Sequence, residues 1–213
     1  NQRNRNTIKQ LSVYSKEKEL IADKVGIEIY NAAGYSKSQL LPSFDVLMYS
    51  YLPFEEVTFP KDYFNTDLLF VPESFFPNKK YEIKAIEDYD DSESSHPNIK
   101  KRKSEAVSVI DAYKNWGDNI NFLGEDRFYY TRNLCRFESI RTDILNANYG
   151  DALYSIFILE KEFPNSDYLK RMKAQSWLGL AQYKSDGTIN ETIDRNSELE
   201  GEIASVHYFI KKL

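Results

Sequence analysis

Asn148-Tyr149-Gly150-Asp151-Ala152-Leu153 leads through Phe163-Pro164-Asn165-Ser166 to Ala174, Trp177, Leu178, Gly179, Leu180, Ala181 and Tyr183. Small and apolar side chains recur at spacings of three to four on both sides of a Pro-Asn break. That pattern predicts two amphipathic helices, 149–163 and 166–184, folded back on one another. The expected inner face is Ala152, Leu153, Ile156, Ala174, Trp177, Leu178 and Ala181. Outward from this hairpin the same periodicity predicts helices over 104–115, 125–146 and about 197–211. Toward the start of the chain, Leu20, Ile21, Val25, Ile29 and Ala32 make one apolar stripe, with no proline from Lys16 to Ala33. Gly34 suits the left-handed position that ends such a helix. A further helix follows from Ser36 or Ser38 to about Tyr49, with Pro42 early in it, where a missing amide costs little. The fold class read from these elements is mainly α.

The 148–183 stretch also resembles a tetratricopeptide-type unit: small residues where two helices touch, a proline at the turn, and a Leu-Gly pair in the second helix. One unit is matched, and the hairpin before it reads as a degenerate second one.

The stretch between the helical zones differs. Pro53, Pro60, Pro72 and Pro77 are four of the chain's seven prolines, and eleven aromatics lie from Tyr49 to Tyr89 inclusive. Proline blocks long helices while aromatic side chains demand burial. An irregular segment packed on a helical body satisfies both demands, either as an ordinary packing loop or as the wall of a substrate groove.

Composition narrows the function classes. The 213 residues are 41% hydrophobic and 29% charged, an ordinary globular balance. A net charge of −5 gives no electrostatic basis for nucleic-acid binding. Cys135, the single cysteine, excludes an internal disulfide framework and a multi-cysteine zinc site. No apolar run approaches the roughly 20 residues that cross a bilayer as a helix. The chain opens on Asn rather than Met and shows no signal peptide, which predicts a piece of a longer protein. With His96 and His207 as its two histidines, it holds no His-x-x-x-His pair; it also lacks a phosphate loop, a nucleophile elbow and a Cys-x-x-Cys.

Two local patterns carry chemistry. In Ser15-Lys16-Glu17-Lys18-Glu19-Leu20-Ile21-Ala22-Asp23-Lys24-Val25-Gly26, Glu19 and Asp23 are four apart and share a helix face. Gly26 extends that face and leaves room for another helix. Such acids ordinarily make a solvated face, but they also suit a metal ligand with an orienting neighbour. In Ser94-Ser95-His96-Pro97-Asn98-Ile99-Lys100-Lys101-Arg102, an imidazole sits where a loop enters a helix, with Pro97 at the expected first helical position. By itself His96 reads as a surface loop histidine. The acids before it (Asp88, Asp90, Asp91, Glu93) lack the glycine and alternation of a calcium loop, and 100–103 reads as a solvated helix start.

Taken in order, these segments resemble the zinc metallopeptidase family of the CAAX prenyl proteases and HtpX. That family carries Ser-Arg-x-x-Glu-x-x-Ala-Asp-x-x-Gly and, downstream, Ser-Thr-His-Pro-x-x-x-x-Arg. Asn31-Ala32-Ala33-Gly34-Tyr35 is similar to the Ala-Gly-Tyr that ends its glutamate helix. A tetratricopeptide-like tail resembles the architecture of the soluble periplasmic BepA-like branch. The match covers roughly residues 12–50 and 92–105 by motif. The resemblance implies Glu19 as the third zinc ligand and Asp23 as an acid orienting a ligand histidine or steadying the helix. It implies His96 near the metal, bonding the developing oxyanion or binding zinc at rest, and Arg102 as anchor of the loop that carries His96. The implied chemistry is zinc-activated water attacking a peptide carbonyl.

Lys16 stands where the family has Arg and Lys103 where it has an apolar residue. The His-Glu-x-x-His helix is not in these residues. The expectation is therefore a gluzincin-type remnant over 1–103, with an irregular insertion at about 51–91, and a tetratricopeptide-like domain over 104–213. Zinc belongs to the full-length protein, and none is expected on this chain alone, which should be inactive. The expected partners are a protein or peptide substrate and a protein on the helical domain, in a bacterial periplasm or cell envelope. The alternative is a non-catalytic helical-repeat scaffold whose peptidase domain has decayed.

Overall fold

The computed structural model describes residues 2–120, 124–193 and 199–213, with side chains from Tyr14 onward. Among them are seven α-helices: α1 (Gln2–Ala32), α2 (Leu40–Met48), α3 (Ile99–Ala112), α4 (Glu125–Leu145), α5 (Tyr149–Glu162), α6 (Asp167–Ser185) and α7 (Ile203–Ile210). The described residues form no strand beyond one isolated bridge, Tyr35 with Asn119. The protein is mainly α, as its periodicity predicts. No described helix is long and apolar enough to cross a membrane.

The chain divides into two compact units, 1–51 with 85–123, and 52–84 with 124–213. The division falls elsewhere than at 103/104. The helix after His96 belongs with α1 and α2, and most of the aromatic segment belongs with α4–α7.

In the first unit, α1 and α3 pack together, and α2 covers α3. Ile27, Leu40, Phe44, Ile99, Ala106 and Ile110 form its core. α1 stops where expected: Gly34 has φ +78°, and its amide donates to the Asn31 carbonyl at 2.9 Å. Gly26 is not a contact point, since a Cβ there would meet nothing within 4 Å. α3 begins at Ile99, five residues before the periodic stretch 104–115 and two after Pro97, because Asn98 caps it by accepting from the Lys101 amide at 2.9 Å. Pro97 therefore precedes the cap instead of occupying the first helical position.

In the second unit, α5 lies against α4, α6 and α7. Its residues 152–159 are buried almost all round, so it is the unit's central helix. The aromatic segment docks on it. Phe59 meets the Phe157 ring at 4.9 Å, and the Tyr154 hydroxyl accepts from the Val57 amide at 2.8 Å while donating to the Val57 carbonyl at 2.7 Å. Ala152, Leu153 and Ile156 are wholly buried, as expected.

The second helix of the hairpin is rotated from its expected face. Leu178 is 60% exposed, and Ala174 and Ala181 face solvent. Leu169, Ser176, Gly179 and Leu180 are buried instead. The Tyr149 ring sets this rotation. A Cβ on residue 179 would stand 2.2 Å from it, so α6 turns its glycine to the tyrosine. α7 is shorter than predicted, starting at Ile203; residues 197 and 198 lie outside the described residues.

The buried face of α5 makes a direct prediction. Ala152→Leu should overpack the cluster of Ile140, Ile156, Leu159 and Leu169 and cost roughly 1–3 kcal/mol in urea unfolding. Lys161→Leu, at an exposed position on the same helix, should change stability by less than about 0.5 kcal/mol.

Candidate functional site

α1 carries Glu19 and Asp23 four residues apart on its α3 side. The loop into α3 carries His96, and the first turns of α3 carry Arg102. All four side chains meet. The Arg102 guanidinium grips Asp23 with both arms, Nε to Oδ2 at 2.8 Å and Nη2 to Oδ1 at 2.6 Å. The same Nη2 lies 3.4 Å from Glu19 Oε2. His96 Nδ1 stands 3.2 Å from Glu19 Oε1. The fork is largely sheltered, with the Asp23 and Arg102 side chains 15% and 13% exposed, while His96 reaches outward at 59%. Chiefly through its hydrogen bonds to Asp23, the guanidinium is held above its ordinary pKa. Behind it the Phe44 ring takes the cation at 5.6 Å.

The loop bearing His96 is pinned by a residue the sequence reading passed over. Asp91 is buried, and its carboxylate accepts from the Asn98 amide at 2.8 Å and the Lys101 ammonium at 2.7 Å. Its backbone carbonyl accepts from Lys16 on α1. Asn98 fastens the other strand of the loop, donating to the Tyr89 carbonyl at 2.8 Å. Hydrogen bonds from Lys101, then from the Asn98 amide, pull the Asp91 carboxyl down to about 2. Lys16 thus spends its charge on this loop and not on the fork. Lys103, the other departure from the resembled pattern, pairs with Asp45 at 2.7 Å and with Glu87. The acidic 87–91 and basic 100–103 runs were a usable signal. Opposite charges either side of a short loop can close it, and here they do.

Glu19 and His96 are metal-capable side chains that meet while remaining partly exposed, at 31% and 59%. A catalytic zinc takes three protein ligands. Among the described residues no group of three or more His, Cys, Asp or Glu side chains is placed to hold a metal ion. These residues fit part of a zinc site and do not complete one. What they supply on their own is an oriented carboxylate, an imidazole beside it and a sheltered cation bracing the carboxylate.

No protein-family model matches the chain, and no curated protein or solved structure shows significant similarity to it.

The Asp91 clamp predicts a pH signature. A carboxyl held at about 2 when folded, against an ordinary 3.8, binds fewer protons folded than unfolded. Its stabilisation is present above 3.8 and is lost as the pH falls through 2. Asp91→Asn should therefore be less stable than the parent at pH 7, with the gap closing between pH 4 and 2 in urea titrations. Parallel curves would count against the clamp.

Proposed function

We propose that this chain is the C-terminal portion of a zinc-dependent metalloendopeptidase, with its second, helical unit serving to bind a substrate or partner protein. One observation supports the reading. Glu19, Asp23, His96 and Arg102 belong to two motif-like segments; Asp23 and Arg102, 79 positions apart, form a bidentate pair, and His96 meets Glu19 beside it.

In this reading Glu19 is the anionic metal ligand that α1 contributes, and two histidines come from a His-Glu-x-x-His helix outside these 213 residues. Asp23 fixes Arg102, and Arg102 steadies Glu19 from the protein side. His96, its side chain 59% exposed, can hydrogen-bond an oxygen arriving beside Glu19. Zinc, bound by the complete ligand set, would supply the activated water; the present residues orient, hold charge and donate hydrogen bonds. The chain alone is inactive because it lacks ligands. The helical unit, in the manner of a tetratricopeptide-like hairpin, offers a binding surface. A periplasmic or cell-envelope setting belongs to the same proposal.

The test is made in the longer protein that includes the residues preceding Asn1. Glu19→Gln should lower zinc content, by elemental analysis, and peptide hydrolysis together. His96→Ala should keep most of the zinc while changing turnover. A preceding sequence without a histidine pair would overturn the enzyme reading in favour of a scaffold with a decayed peptidase domain. Normal zinc and activity in Glu19→Gln would remove the residue assignment.

A further inference from the structure

The second unit contains a cavity of about 700 Å³ between the 63–75 segment, α6 and α7. That volume lies in the range of small-molecule sites, which are mostly apolar and aromatic. Its walls are rings already locked to one another. Phe64 stacks on Phe209 at 4.9 Å, and Trp177 meets Phe64 edge-on at 5.0 Å. Its rim carries Leu69 and Phe70, 55% and 76% exposed. These rim residues stand on a hydrogen-bonded loop. The Asn65 side chain accepts from the Val71 amide at 2.8 Å, and Thr66 Oγ1 accepts from the Leu68 and Leu69 amides at 3.2 and 3.0 Å. The loop thus holds apolar side chains in water at a cavity mouth.

The polar groups say what can enter. Four polar side chains lining the cavity, Tyr63, Asn65, Thr66 and Lys173, are already engaged in hydrogen bonds. Besides Asn65 and Thr66, the Tyr63 hydroxyl donates to Glu160 at 2.5 Å, and Lys173 chelates the same carboxylate at 3.0 and 3.2 Å. Lys173 also lies over the Tyr63 ring at 4.0 Å. The one lining cation is neutralised, so an anionic head finds Glu160 in its way and a cationic head finds Lys173. A polypeptide strand brings an N–H and a C=O per residue that need partners, and this lining is mostly rings and aliphatic groups whose Tyr63, Thr66 and Lys173 side chains are already engaged. We propose that this cavity is a binding site for a neutral, apolar small molecule. The site is independent of the peptidase reading and lies wholly within the second unit.

The test uses the full chain carrying Trp116→Phe, which leaves Trp177 as its one tryptophan. The Trp116 indole N–H is buried without a hydrogen-bond partner among the described residues, so its loss leaves no acceptor stranded. The probe is N-phenyl-1-naphthylamine, neutral at pH 7, followed by energy transfer from Trp177. Saturable binding near one probe per chain is expected, insensitive to salt. Decan-1-ol should displace the probe at least tenfold better than decanoate. Phe70→Glu, at an exposed position, should weaken binding about tenfold, and Leu178→Glu, exposed on the same α6 as Trp177 but not lining the cavity, should leave it unchanged. Absence of saturable transfer, or equal weakening by both substitutions, would overturn the proposal. So would equal displacement by decanoate, displacement by a Leu/Phe-rich peptide, or sedimentation showing that a second copy of the chain fills the cavity.

Discussion

The Arg102–Asp23 fork is the interaction on which the first unit's chemistry depends. α1 and α3 would pack through Ile27, Ile99 and Ala106 without it. Apolar packing is tolerant of small rotations and slides, and it does not specify which polar side chains meet at the edge. A planar guanidinium gripping both oxygens of one carboxylate does. It fixes the first turns of α3 against one turn of α1. The two anchor points of the 88–98 loop, Asp91 on Lys16 and Asn98 capping α3, then leave His96 little choice of position. Glu19, one helical turn from Asp23, receives the imidazole.

Sheltering this pair is costly unless each charge is satisfied, and here each is. Asp23 has both oxygens occupied, and Arg102 divides its donors between two acids and an aromatic face. The arrangement concentrates one sheltered cation and two carboxylates behind one exposed imidazole. The second unit is organised by the opposite means. Its central helix α5 is apolar almost all round, and the aromatic segment closes over it through ring contacts and the paired Tyr154–Val57 hydrogen bonds.

Helix existence was legible because apolar spacing is a local property. Gly34 and the Pro164 break marked ends correctly for the same reason. The rotation of α6 was not legible. Ala174, Leu178 and Ala181 form as good a stripe as Leu169, Ser176 and Leu180, and only the Tyr149 ring seeking Gly179 decides between them. The extent of α3 turned on one side-chain cap at Asn98, while Pro97 beside it equally suits a first helical position. Of the candidate site, the four side chains could be named from motif-like spacing. Asp91 was named only as one of four acids that make no calcium loop; the basic run at 100–103, read as a solvated helix start, was the signal for its partner. That the aromatic segment could wall a groove was legible from its rings and prolines; the other walls, on α6 and α7, were not, since they lie far off in sequence.

The central claim is that the Arg102–Asp23 pair is an energetic coupling and not a surface contact. A double-mutant cycle with Asp23→Ala, Arg102→Ala and the double variant, read by urea unfolding at pH 7, measures it directly. The account predicts that each single substitution strands a sheltered charge, so that the double variant is more stable than the sum of the singles implies by about 2 kcal/mol. Additivity within about 0.5 kcal/mol would contradict it, and with it the argument that the fork delivers His96 to Glu19.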